Sequence, residues 1–198
     1  MDTVGGINQA YFVKEFLPQF HSRILEVGSK DYGSTIPFRK WFSWDEYVGL
    51  DVSEGDGVDL VADIENPVPV DPVDLVICCS VLEHVKRPWL AAENLTKILK
   101  PGGVLYLASP WVMRYHGYPD DYWRFSFSGI PLLFPDLEFG EMYFSTYKPA
   151  EFHLCQPEAE NLLGLSSKNK QGEVIEKYLP YCEIHAVGTK PRGVALEL

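Results

Sequence analysis

Hydrophobic positions along the chain fall into short apolar runs separated by polar punctuation, the pattern of strands alternating with helices. Between residues 6 and 20, Ile7, Tyr11, Phe16, Leu17 and Phe20 recur near one face at helical spacing, so an amphipathic entry helix is expected. ILEVG (24–28) reads as a short buried strand. Ser34 can cap a helix through Trp41, with Pro37 tolerable in its first turn. YVGLDV (47–52) predicts a second strand, and only SEGDGVD separates it from LVAD (60–63). That stretch is too short and too glycine-rich for the crossover helix parallel strands need, so a loop is expected there.

VDLVICCS (73–80) is the most continuously apolar run and predicts a central strand. PWLAAENLTKILK (88–100) follows as a helix, with Pro88 in its first turn and Gly102 beyond its end. GVLYLAS (103–109) predicts the next strand, a short helix is expected around 129–134, and LEFGEMYFSTY (137–147) and EIHAVGTK (183–190) read as later strands. Strands alternating with helices in this way argue for an α/β, doubly wound, mostly parallel sheet with helices on both faces. Residues 148–181 fit this alternation less well and read as an insertion at about 149–181 before the last strand.

The chain has 198 residues, of which 46% are hydrophobic and 14% aromatic, enough for one core and one domain spanning 1–198. A formal charge of −11 opposes docking on phosphate backbones, and the densest basic stretch is only Lys168 to Lys170, so no nucleic-acid partner is expected. The longest charge-free stretch tested, 101–113, is well under the roughly 20 residues of a membrane span. The first residues carry Asp2, Lys14 and Glu15 and do not resemble a secretion signal, which makes a cytoplasmic protein the expectation, as monomer or homodimer. Cysteines at 78, 79, 155 and 182 show neither CxxC spacing nor paired histidines, so no metal site is expected and buried thiols are.

Two regions carry candidate chemistry. HGYPDDYWRFSFSGI (116–130) gathers proton-accepting His116, Asp120 and Asp121 beside Tyr122, Trp123 and Arg124. It could bind and activate a small polar acceptor, or serve as an aromatic clamp that packs a loop. His116 is the first choice for a base, with Asp120 or Asp121 next. Tyr122 and Trp123 would wall a pocket, and Arg124 could grip an anionic group or neutralise Asp120. His84, beside Glu83, reads as structural or a pocket edge. The second region is the set of strand ends, where doubly wound sheets bind ligands. Asp51 can accept both hydrogen bonds of a ribose diol, Gly28 allows close backbone approach, and Asp63 with Ile64 can border an adenine; read plainly, Gly28 is a turn and Asp63 a cap.

In this order and spacing, ILEVGSKDYGS, YVGLDV, VADI, VDLVICCSVLEHV, LKPGGVLYLASPW and HGYPDDYWRFS resemble a class I S-adenosylmethionine-dependent methyltransferase, over roughly residues 24–129 with 183–190 similar to the last strand. The likeness is to small bacterial-type members with a DYWRF-like segment, several of them associated with glycan genes. It implies a Rossmann-like sheet of about seven strands with the last antiparallel, and S-adenosyl-L-methionine as cofactor, leaving as S-adenosyl-L-homocysteine. Glu26 and Gly28 would lie in the first cofactor motif, Asp51 with Val52 at the ribose, Asp63 and Ile64 at the adenine, and Ser80 with Cys79 at the methionine moiety. The family pattern of acidic-x-Gly-x-Gly-x-Gly keeps only its first glycine in register, since Lys30 and Tyr32 occupy the other positions and Gly33 falls one place late. Lys30 could pair with the cofactor carboxylate or point to solvent. The function this implies is methyl transfer to oxygen or nitrogen of a small polar acceptor, such as a sugar or glycan precursor. A non-catalytic cofactor-binding relative acting through a partner is the alternative. A nicotinamide oxidoreductase, which also uses an acidic residue at the second strand end, is disfavoured by the missing GxGxxG.

Overall fold

A computed structural model describes residues 3–18, 21–33, 37–156 and 181–193. Nine strands form one sheet: β1 (Arg23–Val27), β2 (Glu46–Asp51), β3 (Leu60–Val61), β4 (Val73–Cys79), β5 (Leu99–Val112), β6 (Glu138–Phe139), β7 (Tyr143–Ser145), β8 (Phe152–Leu154) and β9 (Cys182–Thr189). The spatial order is β3-β2-β1-β4-β5-β9-β7-β8, with β6 also on β9. β1 to β5 pair in parallel, whereas β9 runs antiparallel to β5, β6 and β7. The doubly wound sheet and the antiparallel last strand are as the sequence predicts. The strand count exceeds the expected seven because 137–147 breaks into two short strands and β8 hairpins onto β7.

Strand alternation sends Leu75 and Ile77 to one face and Val76 and Cys78 to the other, so β4 is buried on both. One face is covered by α2 (Pro88–Ile98) and α3 (Ile130–Leu133) through Ala91, Ala92, Leu95 and Ile130. The other is covered by α1 (Val4–Phe16), capped by the Thr3 hydroxyl, and by Phe38 and Phe42.

Several elements differ from the sequence reading. The face expected for α1 is not the one it buries. Tyr11 and Phe16 are exposed, while Phe12 and Val13 are buried with Asn8 and Gln9. Tertiary partners override the apolar spacing: Phe12 stacks on Tyr106 and His185 at centroid distances of 5.2 and 4.9 Å, and Asn8 bonds the Thr146 carbonyl and the Ala150 amide. Phe20 lies outside the described residues. The helix expected over 34–41 is a single 3-10 turn, Phe38–Lys40, behind Pro37; Ser34 is likewise outside the described residues. Strand β5 begins at Leu99 rather than Gly103, because Leu99 already pairs with Val73 across a bulge. Of the insertion at 149–181, residues 157–180 lie outside the described residues. No helix among the described residues is long and apolar enough to cross a membrane.

The buried stacking of Phe12 predicts that Phe12→Ala costs about 3–5 kcal/mol, while Tyr11→Ala on the exposed face of the same helix changes stability by less than about 0.5 kcal/mol. Urea unfolding of the two variants checks this.

Candidate active site

The order of strands reverses between β1 and β4, so the loops that follow them diverge and leave a crevice at their carboxyl ends. Gly28 ends β1 with φ +75°, and an added Cβ would lie 2.5 Å from the Val81 methyl. Only glycine fits there without displacing the loop after β4. The amides of Gly28 and Ser29 both return to the Leu50 carbonyl, at 2.8 and 3.1 Å. The loop after β2 is equally compressed: a Cβ on Gly49 would meet the Gly57 carbonyl at 2.1 Å, and one on Gly57 the Ser29 carbonyl at 2.5 Å. The glycines of the shortened crossover therefore let two loops pack backbone to backbone beside the crevice.

Asp51 closes β2 and is buried. Its Oδ1 accepts from the Ser53 amide and hydroxyl at 3.0 and 3.1 Å, and among the described residues nothing donates to Oδ2. Lys30 does not project freely into solvent. Its stem packs on Gly55, Nζ donates to Ser53 Oγ at 3.1 Å and lies 5.3 Å from the centre of the Tyr32 ring. It braces the loop that holds Asp51. Val52 beside it is 64% exposed. Glu26 accepts from Tyr47 Oη at 2.8 Å, and burial pushes its carboxyl up to about 7 against that bond.

Asp63 is exposed and its Oδ1 caps the Glu65 amide at 2.9 Å. Ile64 is buried in the core under α2, its carbonyl held by Asn94. Cys79 ends β4 half-buried, and burial holds its thiol well above the ordinary value, which removes it as a nucleophile. Ser80 follows with φ 54°, accepts from Gln9 Nε2 at 3.0 Å and donates to Glu183 Oε1 at 3.3 Å. Gln9 also donates to that Glu183 oxygen at 2.7 Å, so α1, β4 and β9 meet on one buried carboxyl, pushed up to about 7 by desolvation.

The 116–124 segment folds over the end of β4. The amides of Tyr122 and Trp123 both donate to the Glu83 carbonyl, at 2.7 and 3.2 Å, and Trp123 Nε1 donates to the Val85 carbonyl at 2.9 Å. Asp121, almost fully buried, accepts from the His116 amide at 2.8 Å and from Arg124, whose Nη2 lies 2.7 Å from Oδ2. The remaining guanidinium hydrogens reach the carbonyls of Met113, Arg114 and Trp123. Arg124 thus pairs with Asp121, not Asp120, and its donors are spent on its own loop. The guanidinium holds the Asp121 carboxyl well below the usual carboxylate range. Asp120 is exposed and accepts from Tyr122 Oη at 2.7 Å. Trp123 packs edge-on to Trp89 and along Phe125. The segment thus packs as an aromatic clamp, with His116, Asp121 and Arg124 joined beneath it.

Beneath the clamp lies a group the sequence reading did not select. Glu83 is fully buried, and burial, partly offset by a bond to its own backbone, pushes its carboxyl up to about 8. The imidazoles of His84 and His116 meet edge to face over it, with centroids 4.9 Å apart. Tyr118 then bridges His84 to Tyr32 of the first loop, at 6.2 and 5.5 Å. The adjacency Glu83–His84 at a strand end was visible in the sequence; its convergence with His116 was not.

Comparison with known proteins bears on the family. Residues 25–107 match the family model described as a methyltransferase domain. That stretch is under half of the chain, and the match agrees with the likeness of the sequence to class I S-adenosylmethionine-dependent methyltransferases. Over 53 residues it is 34% identical to uncharacterized methyltransferases of Mycobacterium bovis and Mycobacterium tuberculosis, a stretch covering 26% of this chain and only 21% of theirs. The matched stretch is thus about a fifth of the length of those curated relatives. Among solved structures, the YcgJ protein of Bacillus subtilis superposes with a TM-score of 0.63 at 15% identity, covering 93% of this chain and 99% of that one. A Haloferax volcanii methyltransferase solved in complex with the activator Trm112 gives 0.62 at 17%, covering 94% and 90%. A Burkholderia thailandensis 1,6-didemethyltoxoflavin-N1-methyltransferase, solved with its substrate and S-adenosylhomocysteine, gives 0.60 at 11%, covering 94% and 78%. The chain shares this fold, with Lys30 and Tyr32 in the loop after β1.

Asp121 joins His116 and Arg124, so Asp121→Asn should cost about 1–3 kcal/mol at neutral pH by leaving a half-buried guanidinium underpaired. A carboxyl whose folded pKa is depressed stabilises the fold above its unfolded value of about 3.9, and that contribution is lost as pH falls below it. The acid limb of stability against pH should therefore be shallower in the variant than in the wild type, as measured by urea unfolding between pH 6 and 3.

Proposed function

We propose that the protein transfers a methyl group from S-adenosylmethionine to a small polar acceptor. The observation that carries this reading is Asp51, a buried carboxylate at the end of β2, the strand next to β1 at the strand-order reversal, with one oxygen fixed by Ser53 and the other without a donor among the described residues. A ribose diol supplies the donors such a carboxylate lacks. Gly28 lets the cofactor approach the backbone, and Glu26 would anchor the first loop through Tyr47. Lys30 would act indirectly, by holding Ser53 against Asp51. At the adenine end Val52 offers an exposed apolar surface and Asp63 an exposed rim; Ile64 would contribute from below, as core packing. Cys79 and Ser80 would border the methionine end.

The cofactor supplies an electrophilic methyl on sulfur and leaves as S-adenosylhomocysteine. This chain's residues position the acceptor behind that methyl and exclude water. Tyr122 would wall the acceptor side, with Trp123 fixing the wall from the rear through Val85 and Trp89. Asp121 holds His116 from one side while Nε2 lies 3.8 Å from Glu83, and this imidazole would withdraw the acceptor proton. Asp120 would orient Tyr122, and Arg124 would keep the loop shape instead of binding substrate. Sugar hydroxyls are the acceptor class that the resemblance to glycan-associated members suggests.

Calorimetric titration with S-adenosylmethionine and S-adenosylhomocysteine tests the proposal. Micromolar binding by the wild type, weakened at least tenfold in Asp51→Ala, is expected. Absence of binding by the folded wild type overturns it and favours a degenerate relative. His116→Ala should retain S-adenosylhomocysteine affinity within about threefold while methyl transfer in an acceptor screen falls by about 10²–10⁴.

A further inference from the structure

Glu83, His84 and His116 present an arrangement that methyl transfer by positioning alone does not require. Neither oxygen of the fully buried Glu83 carboxyl accepts a hydrogen bond from another described residue. Two imidazole nitrogens face it: Nε2 of His84 and Nε2 of His116 each lie 3.8 Å from Oε1, too far to share a hydrogen with it. The outer nitrogens fix both tautomers. His84 Nδ1 sits 2.6 Å from the Asp120 carbonyl oxygen, which can only accept, so Nδ1 carries the hydrogen and Nε2 a bare lone pair. His116 Nδ1 sits 3.2 Å from Asp121 Oδ2 and 3.3 Å from the Arg114 carbonyl oxygen, both acceptors, with the same consequence. Three ligand atoms, all within 4.8 Å of one another, therefore converge on a common space, and once the carboxyl gives up its proton none of them carries a hydrogen.

We propose that Glu83, His84 and His116 bind a first-row divalent cation, and that this cation holds and acidifies a hydroxyl of the methyl acceptor. The proposal deepens the methyl-transfer reading and rests on it for the acceptor's role. With bonds of about 2.0–2.1 Å, the edge of a tetrahedral site is about 3.4 Å, so the two 3.8 Å separations from Glu83 close by a few tenths of an ångström and the two imidazole nitrogens, within 4.8 Å of each other, by no more than about 1.4 Å. Two imidazoles and one carboxylate suit Zn²⁺ or Mn²⁺ better than Mg²⁺ or Ca²⁺, which take oxygen ligands. The outer nitrogens bond a backbone carbonyl and a carboxylate, the partners that orient metal-binding histidines generally. Three protein ligands leave a position open for substrate. With the cation bound, Nε2 of His116 is a ligand and no longer the base, so the acidified acceptor hydroxyl gives its proton to solvent water as it binds; its oxygen then takes the sulfonium methyl, and the electron pair of the broken carbon–sulfur bond stays on sulfur. An amine acceptor, whose neutral form already has its lone pair, gains nothing from this, so the site selects oxygen nucleophiles.

The test uses the whole chain, stripped with chelator and titrated calorimetrically with ZnCl₂, MnCl₂ and MgCl₂, with S-adenosylhomocysteine titrated into the same samples. One equivalent of Zn²⁺ should bind, with MgCl₂ at least 100-fold weaker. Glu83→Gln and His84→Gln should each weaken Zn²⁺ at least tenfold while thermal melting and S-adenosylhomocysteine affinity stay close to wild type. Co²⁺ loading should give a visible absorption band of a four- or five-coordinate nitrogen and oxygen site, absent in His116→Gln. No stoichiometric Zn²⁺ binding, or binding unchanged in all three variants, overturns the proposal. Zn²⁺ binding without S-adenosylhomocysteine binding would leave the cation site standing and overturn its part in methyl transfer.

Discussion

Parallel pairing of β1 with both β2 and β4 is the constraint on which the rest depends. Strands on either side of β1 are entered by chain running in opposite directions across the sheet, so the loops after β1 and β4 part and the crevice opens there. Because β4 is buried on both faces, the turn that follows it starts from a rigid, dry base. Gly28 and Val81 meet across this crevice at a distance no other residue would permit. Every candidate site residue is placed relative to that contact.

The loops on the β2 side illustrate how a crossover can be shortened. A helix would normally connect two parallel strands such as β2 and β3. Here Gly49, Gly55 and Gly57 allow the 53–57 loop to lie directly on residues 29–31, and the Lys30 stem fills the space above Gly55. The Asp31 amide bonds the Asp56 carbonyl at 2.8 Å across the same contact. The absence of a side chain at Gly55 is therefore what gives the Lys30 stem its room.

On the β4 side the dominant cost is electrostatic. Glu83 and Glu183 are both buried, and each is raised toward neutrality by desolvation. Glu183 is compensated by Gln9 and Ser80, while Glu83 has no donor from another described residue at either oxygen, which favours a bound proton or cation. The cost is sustained because the clamp above is over-determined. Tyr122, Trp123 and Arg124 bind backbone carbonyls from 83 to 123, so the loop cannot swing away to admit water without breaking several bonds together. The residues that looked most reactive in the sequence are thus largely the scaffold for a less conspicuous one.

By itself the sequence determined the alternation of strands and helices, the missing second crossover, the strand ends at Gly28, Asp51 and Ser80, and the resemblance that named the cofactor. These are local or periodic signals: glycine spacing, apolar runs and a carboxylate closing a strand. Tertiary structure decided which face of α1 is buried, because Phe12 finds Tyr106 and His185 on strands distant in sequence. It also decided that Arg124 serves Asp121 and that Lys30 serves Asp51 through Ser53. The union of Glu83 and His84 with His116 was beyond sequence reasoning for the same reason. Ligand geometry depends on how two separate loops fold over one strand end, and no spacing along the chain encodes that distance.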